Sequence, residues 1–159
     1  MGYSAQSIQT QPLTIKREDI HTFDLLLDRV EAETGIGGHI SWCGEMKAVR
    51  TRNAFHTTKT VMEVLRDYGF EDVEEQDNGD IVIGCWGGDK IGSSWEPMWN
   101  ALGEVIKHQA YWVMMGEDGD LWGEAIVPGR GRLQFGLGDH LANLDPEELY
   151  DKHKQSLIQ

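Results

Sequence analysis

The sequence predicts an α+β domain in which a single antiparallel sheet is built from helix–hairpin units, with the helices packed on one face. Three turn signals carry this prediction: Cys43-Gly44, Asn78-Gly79 and Asp118-Gly119, spaced 35 and then 40 residues apart. Each signal follows an amphipathic helical pattern and sits between apolar runs. Asn-Gly and Asp-Gly favour the tight turns that join antiparallel strands. We therefore expect one compact domain over residues 1–159, with a sheet of six to eight strands.

The first helix–hairpin unit follows a short strand at residues 3–9, which Pro12 ends because proline cannot donate to a sheet ladder. From Glu18 the apolar residues recur with helical spacing, at Ile20, Phe23, Leu26, Leu27 and Val30. Two short strands are expected next, at 39–42 and 45–49. Their turn is the least typical of the three, because cysteine is an unusual residue in a type I′ turn.

The second unit begins with a helix over 58–68, and Gly69 suits the position just after a helix end. The strands 72–77 and 80–86 follow, joined by Asn78-Gly79. Ile81, Val82 and Ile83 are consecutive β-branched residues, which favours a strand that is covered on both faces.

The third unit begins with a glycine-rich loop that leads into a helix. Ser93 and Glu96 have the spacing of a capping box, and Pro97 fits the first helical turn. The predicted helix has the clearest amphipathic stripe in the chain, made of Trp95, Met98, Trp99, Leu102, Val105 and Ile106. The third hairpin is predicted at 110–115 and 121–127.

Two elements are predicted after the third hairpin. An edge strand is expected at 132–135. Asp145, Pro146 and Glu148 then give three N-terminal signals for a last helix, which runs to about Ser156.

Composition restricts the classes of function. Fourteen Lys and Arg face 27 Asp and Glu, for a formal net charge of −13, and such a surface repels the phosphates of nucleic acid. No run of about 18 apolar residues predicts a membrane span, and the polar residues 1–11 do not form a secretory signal. Two cysteines, Cys43 and Cys85, are too few for a disulfide framework. We expect a cytoplasmic protein, monomeric or homodimeric, with no nucleic-acid or membrane partner.

The acidic charge is concentrated. Between Glu63 and Asp80 the sequence has eight acidic residues and one base, Arg66. One interpretation is a solvated surface that keeps the protein soluble; the other is a docking surface for a basic partner or a mimic of nucleic acid. For the second interpretation, the predicted partner-binding residues are Glu71, Asp72, Glu74, Glu75 and Asp77.

The glycine-rich loop 86–94 offers a candidate ligand site at Gly87, Gly88, Lys90 and Ser93. Free backbone N–H groups, a helix N-terminus and a cation are the physical components of an anion site. A P-loop, however, requires glycine directly before the lysine and serine or threonine after it. Asp89 and Ile91 occupy those positions, so a plain strand-to-helix loop is the alternative.

Catalytic and metal-binding motifs are not recognisable. The cysteines and histidines lack the paired spacing of zinc ligands, and the acidic turn around Asp118 lacks the ligand spacing of a calcium loop. Neither cysteine lies in a recognisable nucleophile turn, and Cys85, at the end of an apolar strand, is interpreted as a core residue. We therefore expect no catalytic residue, no metal and no cofactor. Whether the protein is an enzyme stays open, and the sequence favours that it is not.

Six tryptophans are many for a chain of 159 residues. Trp95 and Trp99 share one helix face, and Trp112 and Trp122 lie on the facing strands of the third hairpin, which allows a cross-strand pair. Core packing is one interpretation of the tryptophans; a partly exposed interface patch is the other.

Three short segments resemble a group of small actinobacterial and actinophage proteins. They are Met1-Gly2-Tyr3, Pro12-Leu13-Thr14 and the acidic hairpin from Gly116 to Trp122. The resemblance implies a phage or mobile-element origin, and it transfers no catalytic residues because the group has no established activity.

These observations together favour a small acidic protein-binding domain which, if phage-encoded, modulates a host or defence protein in the host cytoplasm. The alternatives are a small enzyme or anion or nucleotide binder that uses the loop 86–94, and a structural component of a virion.

Overall fold

The computed structural model describes residues 3–34, 57–91 and 95–136. A short 3-10 turn, Arg17–Asp19, precedes the first helix. In chain order the described helices and strands are β1 (Tyr3–Thr10), β2 (Leu13–Ile15), α1 (Ile20–Thr34), α2 (Thr57–Asp67), β3 (Phe70–Glu75), β4 (Ile81–Ile91), α3 (Trp95–Val105), β5 (Ala110–Gly116), β6 (Leu121–Val127) and β7 (Gly131–Gly136).

The strands form one seven-stranded sheet in which every pairing is antiparallel. β3 lies at one edge and pairs with β4. The other side of β4 pairs first with β2 and then with β1, so β2 and β1 lie end to end along one strand. β5, β6 and β7 continue the sheet from β1. The predicted α+β class and single antiparallel sheet are confirmed.

Side-chain hydroxyls bridge the region where β1 separates from β4. Ser7 Oγ accepts a hydrogen bond from Trp86 N–H at 3.0 Å and donates to the Trp86 carbonyl at 3.1 Å. Thr10 Oγ1 donates to the Gly84 carbonyl at 2.8 Å. The backbone pairing of β1 with β4 stops in this region. The hydroxyls therefore supply hydrogen-bond partners for the Trp86 N–H and for the carbonyls of Trp86 and Gly84.

The main core lies between the three helices and one face of the sheet, called here the first face. It joins the buried sides of α1 and α2 to the aromatic residues of β3, β4, β5 and α3. Trp99 is 1% exposed, and its ring centre lies 5.1 Å from that of Trp112 and 5.9 Å from that of Phe70. Core packing is thus confirmed for Trp86, Trp99 and Trp112.

Strand register corrects the expected pairing of two tryptophans. Trp112 is paired with Glu124, and Trp122 is paired with Met114. The two indoles are therefore diagonal rather than opposite. Trp122 instead contacts Trp95 of α3, with ring centres 6.2 Å apart.

The predicted glycine-rich loop is wrong over most of its length. β4 continues to Ile91, so Gly87, Gly88 and Lys90 are strand residues. The cause is tertiary pairing, because β1 extends alongside this segment, with Gln6 opposite Gly87 and Tyr3 opposite Ile91. Glycine propensity did not reveal a ladder whose partner is about 80 residues away in sequence.

The remaining predictions divide into three groups. The strands at 3–9, 72–77, 80–86, 110–115, 121–127 and 132–135 and the first, second and third helices are present, with shifted ends. Strand β2 was not predicted. Ser93, the hairpin at 39–49 and the last helix at 145–156 lie outside the described residues.

Candidate functional site

The carboxylates predicted to bind a partner lie together at one edge of the sheet. Glu71, Asp72, Glu74 and Glu75 belong to the edge strand β3, and Asp77 belongs to the turn that follows. All five residues are exposed. We call these five residues the acidic edge.

No ion pair is recorded for the acidic edge within the described ranges. Arg66, the one base in this region of the sequence, donates from its guanidinium to the carbonyl oxygen of Val73 at 2.6 Å. That single cation lies beside β3 and can offset at most one of the five carboxylate charges. The negative charge of the edge therefore faces solvent.

Asp80 differs from the acidic edge although it belongs to the same acidic stretch of sequence. It is 7% exposed, and its carboxylate accepts the backbone N–H of Arg17 at 2.8 Å and the amide of Asn78 at 3.2 Å. Lys16 Nζ lies 3.7 Å away. Asp80 thus holds the β3–β4 turn against the start of α1, which is a structural role.

A backbone irregularity turns Glu71 outward. Regular alternation would place Glu71 and Val73 on the same face, yet Val73 is buried in the main core and Glu71 is exposed. Between them Asp72 has φ = 53°, in the left-handed region. On β4, a Cβ at Gly84 would lie 2.7 Å from the Cβ of Asp72, so glycine is needed there.

The irregularity also exposes Cys85, which was predicted to be a core residue. Its thiol is partly accessible and lies 3.5 Å from Asp72 Oδ2 and 3.7 Å from Glu71 Oε1. Partial burial, followed by the hydrogen bond and charge of Asp72 and the effect of Glu71, raises the pKa of the Cys85 thiol to about 11. The core interpretation is wrong, and at neutral pH the sulfur is a protonated donor rather than a nucleophilic thiolate.

A cleft of about 540 Å³ lies next to the acidic edge. Gln6 pairs with Gly87 on one side and with Met115 on the other, which places the cleft across β4, β1 and β5. Among the described side chains, the cleft is lined by Ser4, Ala5, Gln6, Glu71, Gly87, Gly88, Met115, Gly116 and Glu117. None of these residues carries a positive charge, whereas Glu71 and Glu117 carry carboxylates.

The candidate ligand residues are distributed differently from the prediction. Gly87 and Gly88 line the cleft. Lys90 is a residue of β4, and Ser93 lies outside the described residues. The cleft therefore brings together two of the predicted ligand residues and one predicted partner-binding residue, Glu71.

A second carboxylate site was missed by the sequence analysis. Glu124 on β6 is 0% exposed and points to the first face. It accepts hydrogen bonds from Arg132 Nε at 2.8 Å, Arg132 Nη2 at 3.1 Å, Trp95 Nε1 at 2.9 Å, Trp122 Nε1 at 3.1 Å and Gln134 Nε2 at 2.9 Å. The available signal was strand alternation, because Glu124 shares a face with Trp122 and Ile126 of the same strand.

The Glu124 network is structural in its geometry. Burial raises the pKa of Glu124 above its usual range, while the charge and hydrogen bonds of Arg132 and the donors on Trp95 and Gln134 act in the opposite direction. Oε2 receives donors from α3, β6 and β7, and Oε1 receives one donor, Arg132 Nε of β7. Because the side chain is 0% exposed, the network is better suited to joining these elements than to a reaction.

Two further features bear on the kind of site. Within residues 3–34, 57–91 and 95–136, no cluster of three or more His, Cys, Asp or Glu side chains has the arrangement of a metal site. None of the described helices has the length and apolar character to cross a membrane.

Comparison with known proteins gives no relative for this chain. No family model, no curated protein and no solved structure matches it.

Proposed function

We propose that this protein is a non-enzymatic binding domain that docks a basic protein surface on its acidic edge. The observation that carries the proposal is the contrast between two kinds of carboxylate. Glu124 and Asp80 are buried and surrounded by donors. The carboxylates of the acidic edge are exposed and without a recorded ion pair in the described part of the chain.

The fold does not need the charge at this edge. Like charges close together on one strand and its turn repel each other and bring no packing gain. An exposed edge strand also needs protection from pairing with other chains, and charged side chains with an irregular backbone provide it. Either positive or negative side chains would protect the edge strand from pairing with other chains. All five side chains of the acidic edge are negative, which favours a partner surface of positive charge.

The cleft extends the proposed docking surface. Glu71 belongs both to the acidic edge and to the cleft wall, and Glu117 adds a second carboxylate. Gly87, Gly88 and Gly116 line the cleft without adding side chains to it. A lysine or arginine side chain of the partner has the charge and the long apolar stem that such a cleft accommodates.

The test compares two variants that lose the same charge in different places. The edge variant replaces Glu71, Glu74 and Glu75 by Gln and Asp77 by Asn. Asp72 is kept because it has the left-handed backbone conformation. The control variant replaces four exposed residues elsewhere in the same way: Glu18, Glu96, Glu104 and Asp120.

Binding is measured first to polylysine, as a defined basic probe, and then by capture of partners from lysate. We expect the edge variant to bind about tenfold more weakly or worse, with most of the loss in association rate and most of the difference abolished by high salt. The control variant should bind like the native protein. Equal binding by both variants at low and high salt alike would contradict the proposal and leave the acidic edge as a solubility feature.

The alternative of a small enzyme or an anion or nucleotide binder receives less support. Its premise was a glycine-rich loop over 86–94, of which residues 86–91 are strand. The adjoining cleft is lined by carboxylates, which would repel an anion. A thermal-shift screen with nucleotides and inorganic phosphate tests this alternative, and a concentration-dependent rise in midpoint would favour it.

The predicted origin, target and location of the protein depend on the sequence alone. Phage or mobile-element origin, action on a host or defence protein, a role as a virion component and a cytoplasmic location all remain predictions. The net charge of −13 continues to argue against a nucleic-acid partner.

A further inference from the structure

A row of paired residues crosses four strands of the sheet beside the cleft. Gln6 of β1 is paired with Gly87 of β4 and with Met115 of β5, and Met115 is paired with Leu121 of β6. Directly opposite residues of antiparallel strands share one face of the sheet. Because Met114, the chain neighbour of Met115, is buried in the main core, the row lies on the face opposite that core.

The β4 end of this row is acidic. A Cβ at Gly87 would lie 3.7 Å from Glu71 Oε2, so the carboxylate of Glu71 lies over the row beside β4. Glu117 provides a second carboxylate just after β5, where its Oε1 accepts the backbone N–H of Ser4 at 2.7 Å. Both glutamates line the cleft, so this end of the row belongs to the proposed docking surface.

The β6 end of the row is apolar. Leu121 is 43% exposed, and Met115 opposite it is half-buried and lines the cleft. We call these two residues the apolar shelf. Single exposed apolar side chains are common on protein surfaces, but the shelf continues through Gln6 into the acidic end of the same row. Strand spacing places the two ends of the row roughly 14 Å apart.

We propose that the partner segment is extended and amphipathic: a lysine or arginine of the segment enters the cleft, and a large apolar side chain of the same segment packs on the apolar shelf. This inference rests on the proposed function, because it names the chemistry of the segment that docks there. Side chains four positions apart in an extended segment point to the same side and lie about 13 Å apart, which matches the length of the row.

The two ends of the row contribute differently to binding. Attraction to Glu71 and Glu117 governs how fast the segment arrives and weakens with salt. Burial of the apolar shelf governs how slowly the segment leaves and is not screened by salt. A partner recognised in this way is therefore distinguished from an arbitrary polycation.

Two fluorescent peptides of equal charge test the proposal on the native protein. Both carry the same basic residues around a central arginine; the first has a leucine four positions from that arginine, and the second has serine in place of the leucine. Fluorescence anisotropy gives the affinities, and stopped-flow mixing gives the rates. We expect the leucine peptide to bind about five- to tenfold more tightly, through slower dissociation and at low and high salt alike. Equal affinity of the two peptides would overturn the proposal.

A pair of variants locates the preference for leucine on the apolar shelf. Leu121→Gln removes the exposed end of the shelf, and Leu25→Gln is the matched control, because Leu25 is 53% exposed on α1. We expect Leu121→Gln to bind the leucine peptide no better than the serine peptide, and Leu25→Gln to keep the native preference. A native preference in Leu121→Gln would overturn the proposal. A native dimer that Leu121→Gln dissociates, seen by sedimentation, would identify a second copy of the chain as the occupant and overturn it too.

Polylysine binding separates this inference from the proposed function. Leu121→Gln should bind polylysine within about twofold of the native protein, because the carboxylates that attract it are unchanged. If the edge variant loses polylysine binding but the two peptides bind the native protein equally, the amphipathic segment is wrong and the acidic docking surface stands. If the edge variant and its control bind polylysine equally, the proposed function itself fails.

Discussion

Replacing Arg132 by Met tests whether the buried ion pair with Glu124 holds α3, β6 and β7 together. Methionine keeps an unbranched apolar side chain close in length to the aliphatic part of arginine but removes the guanidinium. The carboxylate of Glu124, which is 0% exposed, would then keep Trp95, Trp122 and Gln134 as donors but lose its counter-ion. An uncompensated charge would remain in the core.

The magnitude follows from the burial of both partners. The side chain of Arg132 is 7% exposed, and two of its nitrogens donate to Glu124 at 2.8 and 3.1 Å. Removing one partner of a buried pair costs about 3–5 kcal/mol, out of a total of roughly 5–15 kcal/mol for a domain. For a chain of this size we expect the thermal midpoint to fall by roughly 10 °C.

The loss of stability should depend on pH in a defined direction. Burial raises the pKa of Glu124, and removing Arg132 removes an effect that lowers it, so the folded-state pKa rises further. A carboxyl whose pKa is higher in the folded than in the unfolded state favours folding when protonated, and this contribution is lost as pH rises through the folded-state pKa. The deficit of Arg132→Met relative to the native protein should therefore shrink as the pH is lowered.

Urea unfolding followed by tryptophan fluorescence, at pH 5 and pH 8, measures the deficit. Arg29→Met is the matched control, because its ion pair with Glu104 is about half exposed on both sides and exposed pairs contribute little. The double variant Glu124→Gln with Arg132→Met should be more stable at pH 8 than Arg132→Met alone. A deficit in Arg132→Met no larger than in the control, or independent of pH, would refute the reasoning.

Four further predictions concern the core, the strand irregularity, the thiol and the charge. Trp99→Ala should lower the free energy of unfolding by about 3–5 kcal/mol, because the ring is 1% exposed; an unchanged urea midpoint would contradict this. Gly84→Ala should destabilise by about 1–3 kcal/mol, because its Cβ would lie 2.7 Å from that of Asp72, whereas Gly136→Ala, with nothing within 4 Å of its Cβ, is the control and should be nearly neutral. In a Cys43→Ser background, alkylation of Cys85 should be slow at pH 7.5 and accelerate toward its pKa of about 11; fast alkylation at neutral pH would disprove the protonated state. At about 150 mM salt with competitor present, sub-micromolar protein should shift neither duplex DNA nor RNA in a gel, because a net charge of −13 leaves few cations for phosphates, and a specific shift would overturn the prediction.

The predictable part of the fold is local. Asn78-Gly79 and Asp118-Gly119 both lie in turns between paired strands, and in each turn the glycine has positive φ while the preceding Asn or Asp does not. The stripe from Trp95 to Ile106 lies against the sheet as its spacing indicates. Pairings between distant segments were not accessible in the same way. β2 has three residues, and only its position opposite residues 81–83 of β4 makes it a strand.

In the candidate site too, local features were predictable from the sequence and features that depend on distant contacts were not. The acidic edge was visible as a run of like charges, but the separation of Asp80 from its neighbours depends on a contact with Arg17, 63 residues away. The exposure of Cys85 depends on the conformation of Asp72 and on the close approach of Gly84, which are properties of two paired strands. A pattern read along one strand assumes regular alternation and fails at such a position.

We infer that carboxylates serve two separate purposes in this chain, and that the environment of each one determines which. Glu124 is enclosed by donors from three elements, so changes there should alter stability and leave capture of a basic partner intact in whatever protein still folds. The acidic edge has no recorded ion pair in the described residues, so changes there should alter capture and leave the unfolding midpoint nearly unchanged. Measuring both properties for Arg132→Met and for the edge variant separates the two purposes. If the edge variant lost stability as severely as Arg132→Met, its carboxylates would belong to the fold, and the main support for a docking surface would be removed.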